Sequence, residues 1–568
     1  MIRALRPVAL SLALVVPLSA CKREAPAPDA GTAAPTEAVE APAPRTAAEQ
    51  RIATDVRTLA DDRMEGRETG TRGFDMAAEY AAKRFRETGL APAGDNGTYF
   101  QTVPLLRATR QAEGAALAVK RHGREIALRF RDQFLPAPNF NAADHALEAP
   151  AVFVGQGVHA PELGHDDFAG LDLHGKIAVV FPGAPADFDN DRRAFYSATR
   201  EKLRALAERG AVGVVFVNTP QDEAGAPWLR NAENWQRPAM RLRGPDGRGL
   251  NTFPELRAVA NVSAAAADLI FADGPKTAAA LFDDARNGSL RGFALPGTLR
   301  LAGRTKIEPV DSRNVVAKLP GADAALSTEH VVFTAHLDHI GIGAPVKNAR
   351  GEDDRIYNGA LDNALGVSIL LEAARILHDE KTAPKRSMLF VALTAEEKGL
   401  LGSEWFASHP TVPAGTLVAN INMDMPVLLA PSRDVVPIGV EHSSLKSTLD
   451  VAAKEVGVAQ SPDPFPEDVV FVRSDQYAFI RAGIPAVYLD GGMISADGKR
   501  DPKLAQRKFM RDHYHQPSDD ASLPIWWPDA VRLARLNARI GRLVGDAPER
   551  PRWNDGDFFG GRFGASAR

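Results

Sequence analysis

A histidine and an aspartate one residue apart, His336 and Asp338, follow directly on the apolar run Val331–Ala335. Glu396 and Glu397 stand just past a second such run within Arg386–Thr394, and Asp424 just past a third, Leu417–Asn422. Asp362 in NGALDNALG and His515 in HYHQPSDD add a further carboxylate and imidazole. Side chains of these types bind a divalent cation of borderline softness without thiolate. A carboxylate adjacent to such a set, but not part of it, is placed to move protons. The sequence has a single cysteine, so a thiolate cluster is excluded and any metal rests on histidines and carboxylates. Taken singly, each feature has an ordinary reading. His-X-Asp is commonly a surface or capping pair, paired glutamates open solvated helices, Asp362 suits an N-cap, and His515 lies in a turn near Pro517. Their collection at strand ends and loops of one segment is what sets them apart.

Those strand ends need a scaffold. The apolar runs at 331–335, 386–394, 417–422 and 484–489 read as strands, and VSILLEAARIL at 367–377 has helical spacing. Alternating strand and helix predicts an α/β domain with a mostly parallel sheet flanked by helices, whose ligands bind outside the carboxyl ends of the strands. Upstream, Ile52, Val56 and Leu59, then Phe74, Ala77, Ala81 and Phe85, recur at helical spacing, with Gly89 where a C-terminal cap belongs. Segments 99–105 and 116–130 read as strands. From about 140 to 300 the texture changes to short apolar strands at 151–154, 176–181 and 212–217, with a helix at 202–208 between the last two.

The 568 residues are 45% hydrophobic and 25% charged, with a mean hydropathy of -0.20. These values fit a globular protein and exclude a disordered chain or a multi-span membrane protein. Lys and Arg number 68 against 72 Asp and Glu, a net charge of -4, so nothing favours nucleic acid as a partner. Arg3 and Arg6 precede an almost wholly apolar run from Val8 to Ala20 that ends at Cys21. This reads as a secretory signal, too short for a stable membrane span. Residues 22–48 are dominated by Ala, Pro and Glu without apolar period and read as an extended tether.

The ordered set HLDHIG (336–341), YNGALDNALG (357–366), TAEEKGLLGSEWF (394–406), NINMDM (420–425) and HYHQPSDD (513–520) resembles the co-catalytic zinc aminopeptidases of the MH clan, metallopeptidase family twenty-eight. Relatives in that group include glutamate carboxypeptidases and glutaminyl cyclases. DDRMEGRETGTRG (61–73) and SDQYAFIRAGIPA (474–486) extend the likeness. HGKIAVVFPG and KLRALAERGAVGVVFVN resemble the protease-associated (PA) domain, and Leu18-Ser-Ala-Cys21 resembles a bacterial lipobox.

The resemblance implies an α/β fold of the zinc-exopeptidase, phosphorylase/hydrolase-like kind: a mostly parallel mixed sheet flanked by helices, with an inserted small β-rich PA domain. The expected organisation is a signal peptide at 1–20, a lipidated Cys21 and tether at 21–49, an N-terminal part of the peptidase at 50–139, the PA insert at 140–300, the catalytic domain at 301–548 and a tail at 549–568. Two zinc ions are implied, one on His336 and Asp424, the other on Glu397 and His515, with Asp362 bridging. Asp338 would orient His336, and Glu396 would be the general base. His339 and His513 are the positions to which a ligand assignment would shift. The implied activity is removal of N-terminal residues from peptides, with carboxypeptidase or dipeptidase action or glutaminyl cyclisation as alternatives on the same site. A purely binding role does not suit a complete ligand set. Two departures stand out: Leu365, where the family commonly has Ser, and Gln476, where relatives often have His and which is expected to alter the pocket. Acidic substrates would need an arginine-rich pocket, and Arg473 and Arg481 are too few to decide between the alternatives. Lys22 after Cys21 favours anchoring at the outer membrane.

Overall fold

The computed structural model describes residues 42–564. The expected signal peptide, Cys21 and most of the tether lie outside the described residues, as do the last four. The last residues of the expected tether, 46–49, already belong to the cap and first turn of a helix. Helix α1 (Ala47–Leu59) is capped by Thr46, whose hydroxyl accepts from the Glu49 amide. The Glu49 carboxylate reaches back to the Arg45 amide, so the T-x-x-E pattern of a helix start overrides the Ala-rich composition. Helix α2 (Arg72–Thr88) ends at Gly89, which takes a left-handed conformation with φ 89°.

After α2 comes a 22-residue strand, β1 (Phe100–Arg121). The insert contributes β2 (Asp144–Phe153), β3 (Ile177–Val180), β4 (Gly213–Val217) and β5 (Ala258–Val262). The chain returns along a 27-residue strand, β6 (Phe293–Leu319). The C-terminal half supplies β7 (His330–His336), helix α3 (Gly366–His378), β8 (Ser387–Leu393), β9 (Leu417–Asn422), β10 (Asp434–Ile438), β11 (Ala486–Asp490) and helix α4 (Trp527–Asp546).

The strands form one mixed sheet, in the order β10-β11-β9-β7-β8-β6-β2-β3-β4-β5 along its main path. Strands β8, β7, β9 and β11 run parallel. On the other side β2 to β5 are parallel as well. Strand β6 joins the two halves: Val315–Leu319 pair with β8, whereas the stretch from Phe293 to Arg304 pairs with β2. Strand β1 lies antiparallel along nearly all of β6. The expected boundary at 300/301 therefore falls inside a continuous strand, because the insert grows out of the β1/β6 ribbon.

The main core packs α1, α2, α3 and α4 on the strands through residues such as Ile52, Phe74, Phe85, Leu370, Phe333, Phe390 and Ile540. The N-terminal helices thus belong to the same body as the C-terminal half. The insert has its own core around Phe153, Phe181 and Phe271, whose rings meet edge-on. The segment expected as a tail from 549 is also folded through residue 564. Trp553 donates to the Gly483 carbonyl, and Phe559 is fully buried. Three aromatics within seven residues supply the apolar surface that docks this segment; their irregular spacing hides it from a periodicity reading. Among the described residues no helix is long and apolar enough to cross a membrane.

Candidate metal centre

The parallel strands β7, β8 and β9 point their carboxyl ends to one edge of the sheet, and the predicted site residues leave from there. His336 is the last residue of β7 and lies opposite Leu393 of β8. Asp424 follows β9 by two residues and Glu396 follows β8 by three. Asp362 comes from the turn that opens α3, at a cis peptide with Asn363. His515 comes from the loop before α4 and stacks on Tyr514 at 3.8 Å. Backbone strain gathers here: Ala395, Met425 and His515 all hold positive φ. Non-glycine residues pay for that conformation only where surroundings impose it.

The side chains converge in two groups that share Asp362. In the first, His336 Nε2 lies 2.9 Å from Asp424 Oδ1 and 3.2 Å from Asp362 Oδ1. In the second, His515 Nε2 lies 3.3 Å from Asp362 Oδ2 and 3.4 Å from Glu397 Oε2. His339 joins this second group, its Nδ1 2.8 Å from Glu397 Oε1 and 3.8 Å from Asp362 Oδ2. Within the sets His336–Asp362–Asp424 and His339–Asp362–Glu397 the donor atoms lie within 4.8 Å of one another. His513 is elsewhere, with Nδ1 on Ser518 Oγ at 3.0 Å.

The donor set fits a cation. Both ring nitrogens of His339 and Oε1 of Glu397 are enclosed without a hydrogen-bond partner, since their close approach lacks the alignment of a bond. Buried polar atoms left this way call for an explanation, and an ion is among the ordinary ones. Burial works against a charged His515 ring, yet Glu397 and Asp362 lift it to about 10. The carboxylates thus create a field that strongly favours positive charge at their centre.

Asp338 orients His336 through its main chain and the two glutamates through its carboxylate. Its carboxylate stands 4.0 Å from His336 Nδ1. The His336 Nδ1–H donates instead to the Asp338 main-chain carbonyl at 3.0 Å. A carbonyl only accepts, so the proton sits on Nδ1 and the Nε2 lone pair faces the carboxylates. The Asp338 carboxylate accepts from the amides of Glu396 and Glu397 and from Thr69 Oγ1, and burial pushes it up to about 6. It fixes the glutamate pair rather than the histidine ring, because the His336 ring turns back onto the main chain.

Several supporting residues escaped the sequence reading. Asn363 accepts from the amides of Gly366 and Met425 and donates to the Met423 carbonyl, tying the Asp362 turn to the Asp424 loop. Asp519 accepts from the Leu361 and Asp362 amides. Arg67, 1% exposed, donates to the carbonyls of Leu59, Leu337, Asn358 and Gly359. Thr69 donates to Asp338 and accepts from the Ala395 amide. Arg67 and Thr69 lie in the 61–73 motif, so a signal existed; Asn363 and Asp519 each neighbour a motif residue that drew attention first. Gln476 does not shape the pocket as expected. It is fully buried, donating to Val470 and Phe471 carbonyls and accepting from Asn422. Leu365 is fully buried in the main core.

Residues 314–540 match Peptidase family M28, and residues 137–250 match the PA domain. A "Probable zinc metalloprotease" of Pyrenophora teres f. teres (strain 0-1) is 43% identical over 123 residues, 21% of this chain and 23% of that relative's length. Carboxypeptidase Q of Mus musculus is 28% identical over 183 residues, 32% of this chain and 33% of its own. The chain thus aligns with about a quarter to a third of these relatives. The solved aminopeptidase from Aneurinibacillus sp. strain AM-1 superimposes with a TM-score of 0.51 at 19% identity, over 89% of this chain and 98% of that one. That likeness is one of fold.

Proposed function

We propose that this chain, which carries a peptidase family M28 domain over residues 314–540 and a PA domain over 137–250, is a zinc aminopeptidase that removes N-terminal residues from peptides. The observation that carries the reading is the pair of donor groups sharing Asp362, with Glu396 held beside them by its amide bond to Asp338 and outside both groups. His336, Asp424 and Asp362 would hold one zinc, and Asp362, Glu397, His515 and His339 the other. Bound there, zinc supplies Lewis acidity and lowers the pKa of water.

The remaining work falls to the protein. Glu396 takes a proton from the attacking water and returns it to the leaving amine. Burial, reinforced by Asp424 and Glu397 against the opposing charge of His336, holds its carboxyl well above the usual range, which suits a group that carries a proton between steps. The Asp338 carboxylate fixes the Glu396 amide at 3.1 Å, and positive φ at Ala395 turns the glutamates out of line with β8. His336 is kept as an Nε2 donor by its bond to the Asp338 carbonyl.

The test is cleavage of aminoacyl amides beside their N-acetylated twins by zinc-loaded protein. Loss of cleavage on acetylation supports an aminopeptidase; equal cleavage contradicts it. A second reading, carboxypeptidase or dipeptidase action, is favoured by the likeness to carboxypeptidase Q and by arginines above the centre. We further propose that a lipid on Cys21 anchors the enzyme to the outer membrane, facing away from the cytoplasm. Wild-type protein recovered without lipid in the soluble fraction would contradict that anchor.

A further inference from the structure

A cavity of about 510 Å³ opens over the Glu397–His515 side of the centre. That lies within the range of about 300–1,000 Å³ typical of small-molecule sites, enough for a short peptide. Its far wall comes from the insert: Trp228, Arg230, Asn234 and Arg237 line it opposite Glu397 and His515. Arg473 and Arg481 do not line it. Arg481 pairs with Glu404, and Arg473 donates to the Asp468 carbonyl.

Arg237 is the unusual member of this wall. Its Nε and Nη2 atoms are enclosed and meet no hydrogen-bond acceptor. The guanidinium lies 4.7 Å from the centroid of the Tyr357 ring, and the Tyr357 hydroxyl is itself tied to the Ala344 carbonyl at 3.1 Å. The cation-π contact holds the group in place without satisfying its donors. Guanidinium stays charged in proteins, so enclosed N–H groups lacking an acceptor carry a desolvation cost that an incoming anion relieves. Neighbouring acids are committed elsewhere: Glu68 pairs with Lys398 at 2.8 Å, and Glu397 faces the centre. Arg110, also in the wall, has its guanidinium on the carbonyls of Pro136 and Trp235. The cavity therefore presents a cationic group on the wall that the insert supplies.

We propose that Arg237 binds a carboxylate of the substrate, so that this enzyme selects short peptides carrying a negative charge within the cavity. The fork geometry of guanidinium suits a carboxylate, and its place in the cavity wall with Glu397 and His515 gives a bound peptide a fixed anchor beside the metal centre. The carboxylate comes from a free C-terminus or from an acidic side chain. This deepens the peptidase reading and rests on it, but its test is separable from turnover.

Zinc-loaded E396Q protein is titrated with Ala-Leu, with Ala-Leu amide and with Ala-Asp amide, alone and with R237Q or R237K added. The expected result is at least about tenfold tighter binding of one or both charged peptides than of the neutral amide. That ratio falls to near one in R237Q and survives in part in R237K, which also shows that the folded cavity persists. Preference for Ala-Leu assigns the site to the C-terminus, and preference for Ala-Asp amide assigns it to a side chain. Equal binding of all three peptides, or a preference that R237Q leaves intact, overturns the proposal. If the preference depends on Arg237 while the zinc-loaded wild type cleaves none of the three, the carboxylate site stands and the peptidase reading falls.

Discussion

Three carboxylates and three imidazoles crowd one volume: Asp362, Glu397 and Asp424 with His336, His339 and His515. That composition makes ligand removal and base removal separable. Glu396→Gln keeps size while removing basicity, so zinc is expected to stay while kcat falls by about 10²–10⁴-fold, read by elemental analysis beside steady-state kinetics. Near-full kcat in the zinc-loaded variant would take the role from Glu396. The histidines make a second comparison. His515→Ala and His339→Ala are each expected to weaken one zinc site, whereas His513→Ala retains two metals per chain; metal counts after dialysis distinguish them. A His513 variant that loses zinc would redraw the ligand set. At this scale the sequence was informative wherever a chemical type followed an apolar run, as at His336, Glu396 and Asp424. It named His339 and His513 alike as positions to which a ligand could shift and could not separate them, because only the fold shows where the backbone aims each ring. At Asp338 it named the residue that orients His336 but not the atom, which is the main-chain carbonyl.

The ligand loops are held by elements that never approach the reacting atoms. Arg67 binds four carbonyls from three separate segments, including those of Asn358 and Gly359 in the loop before Asp362. Arg67→Met is expected to lower stability by more than about 3 kcal/mol, since several buried carbonyls lose a charged donor together; denaturant unfolding reads it, and a loss below 1 kcal/mol would contradict the role. The C-terminal segment is held by a different charge pair. His442 Nδ1 lies 2.6 Å from Asp557 Oδ2, and its Nε2 3.6 Å from Asp191. Burial opposes a charged ring, but the Asp557 hydrogen bond and the Asp191 charge prevail, leaving His442 above its ordinary value. The folded state therefore binds this proton more tightly than the unfolded state. Stability from the pair is fully present below about pH 6.5 and lost as pH rises through the raised folded value. His442→Gln is expected to cost about 1–3 kcal/mol at pH 6 and less at pH 9, by thermal unfolding; a pH-independent difference would exclude the linkage. Neither device was readable in advance. Helical and strand periods located α1, α2 and the parallel strands, whereas contacts between segments hundreds of residues apart leave no local pattern.

Across the whole molecule, the β1/β6 ribbon makes the insert a continuation of the catalytic sheet rather than a domain on a flexible link. That continuity gives the insert a fixed reach, so Arg237 and its neighbours stand over the metal centre as a wall of the same cavity. The α/β class followed from the alternation of strands and helices, and the insert from the resemblance of its motifs to the PA domain. The shared strand did not, because residues 293–319 contain two prolines and two glycines that read as punctuation. The account rests at this scale on one claim, that two zinc ions held by a body of α/β layers make this chain a peptidase. Titrating zinc into chelated protein while following hydrolysis of an aminoacyl substrate tests it most directly. The account predicts no turnover without zinc and activity that saturates at two equivalents per chain. Full turnover in the chelated protein, or none at any zinc ratio with the fold intact, would contradict it.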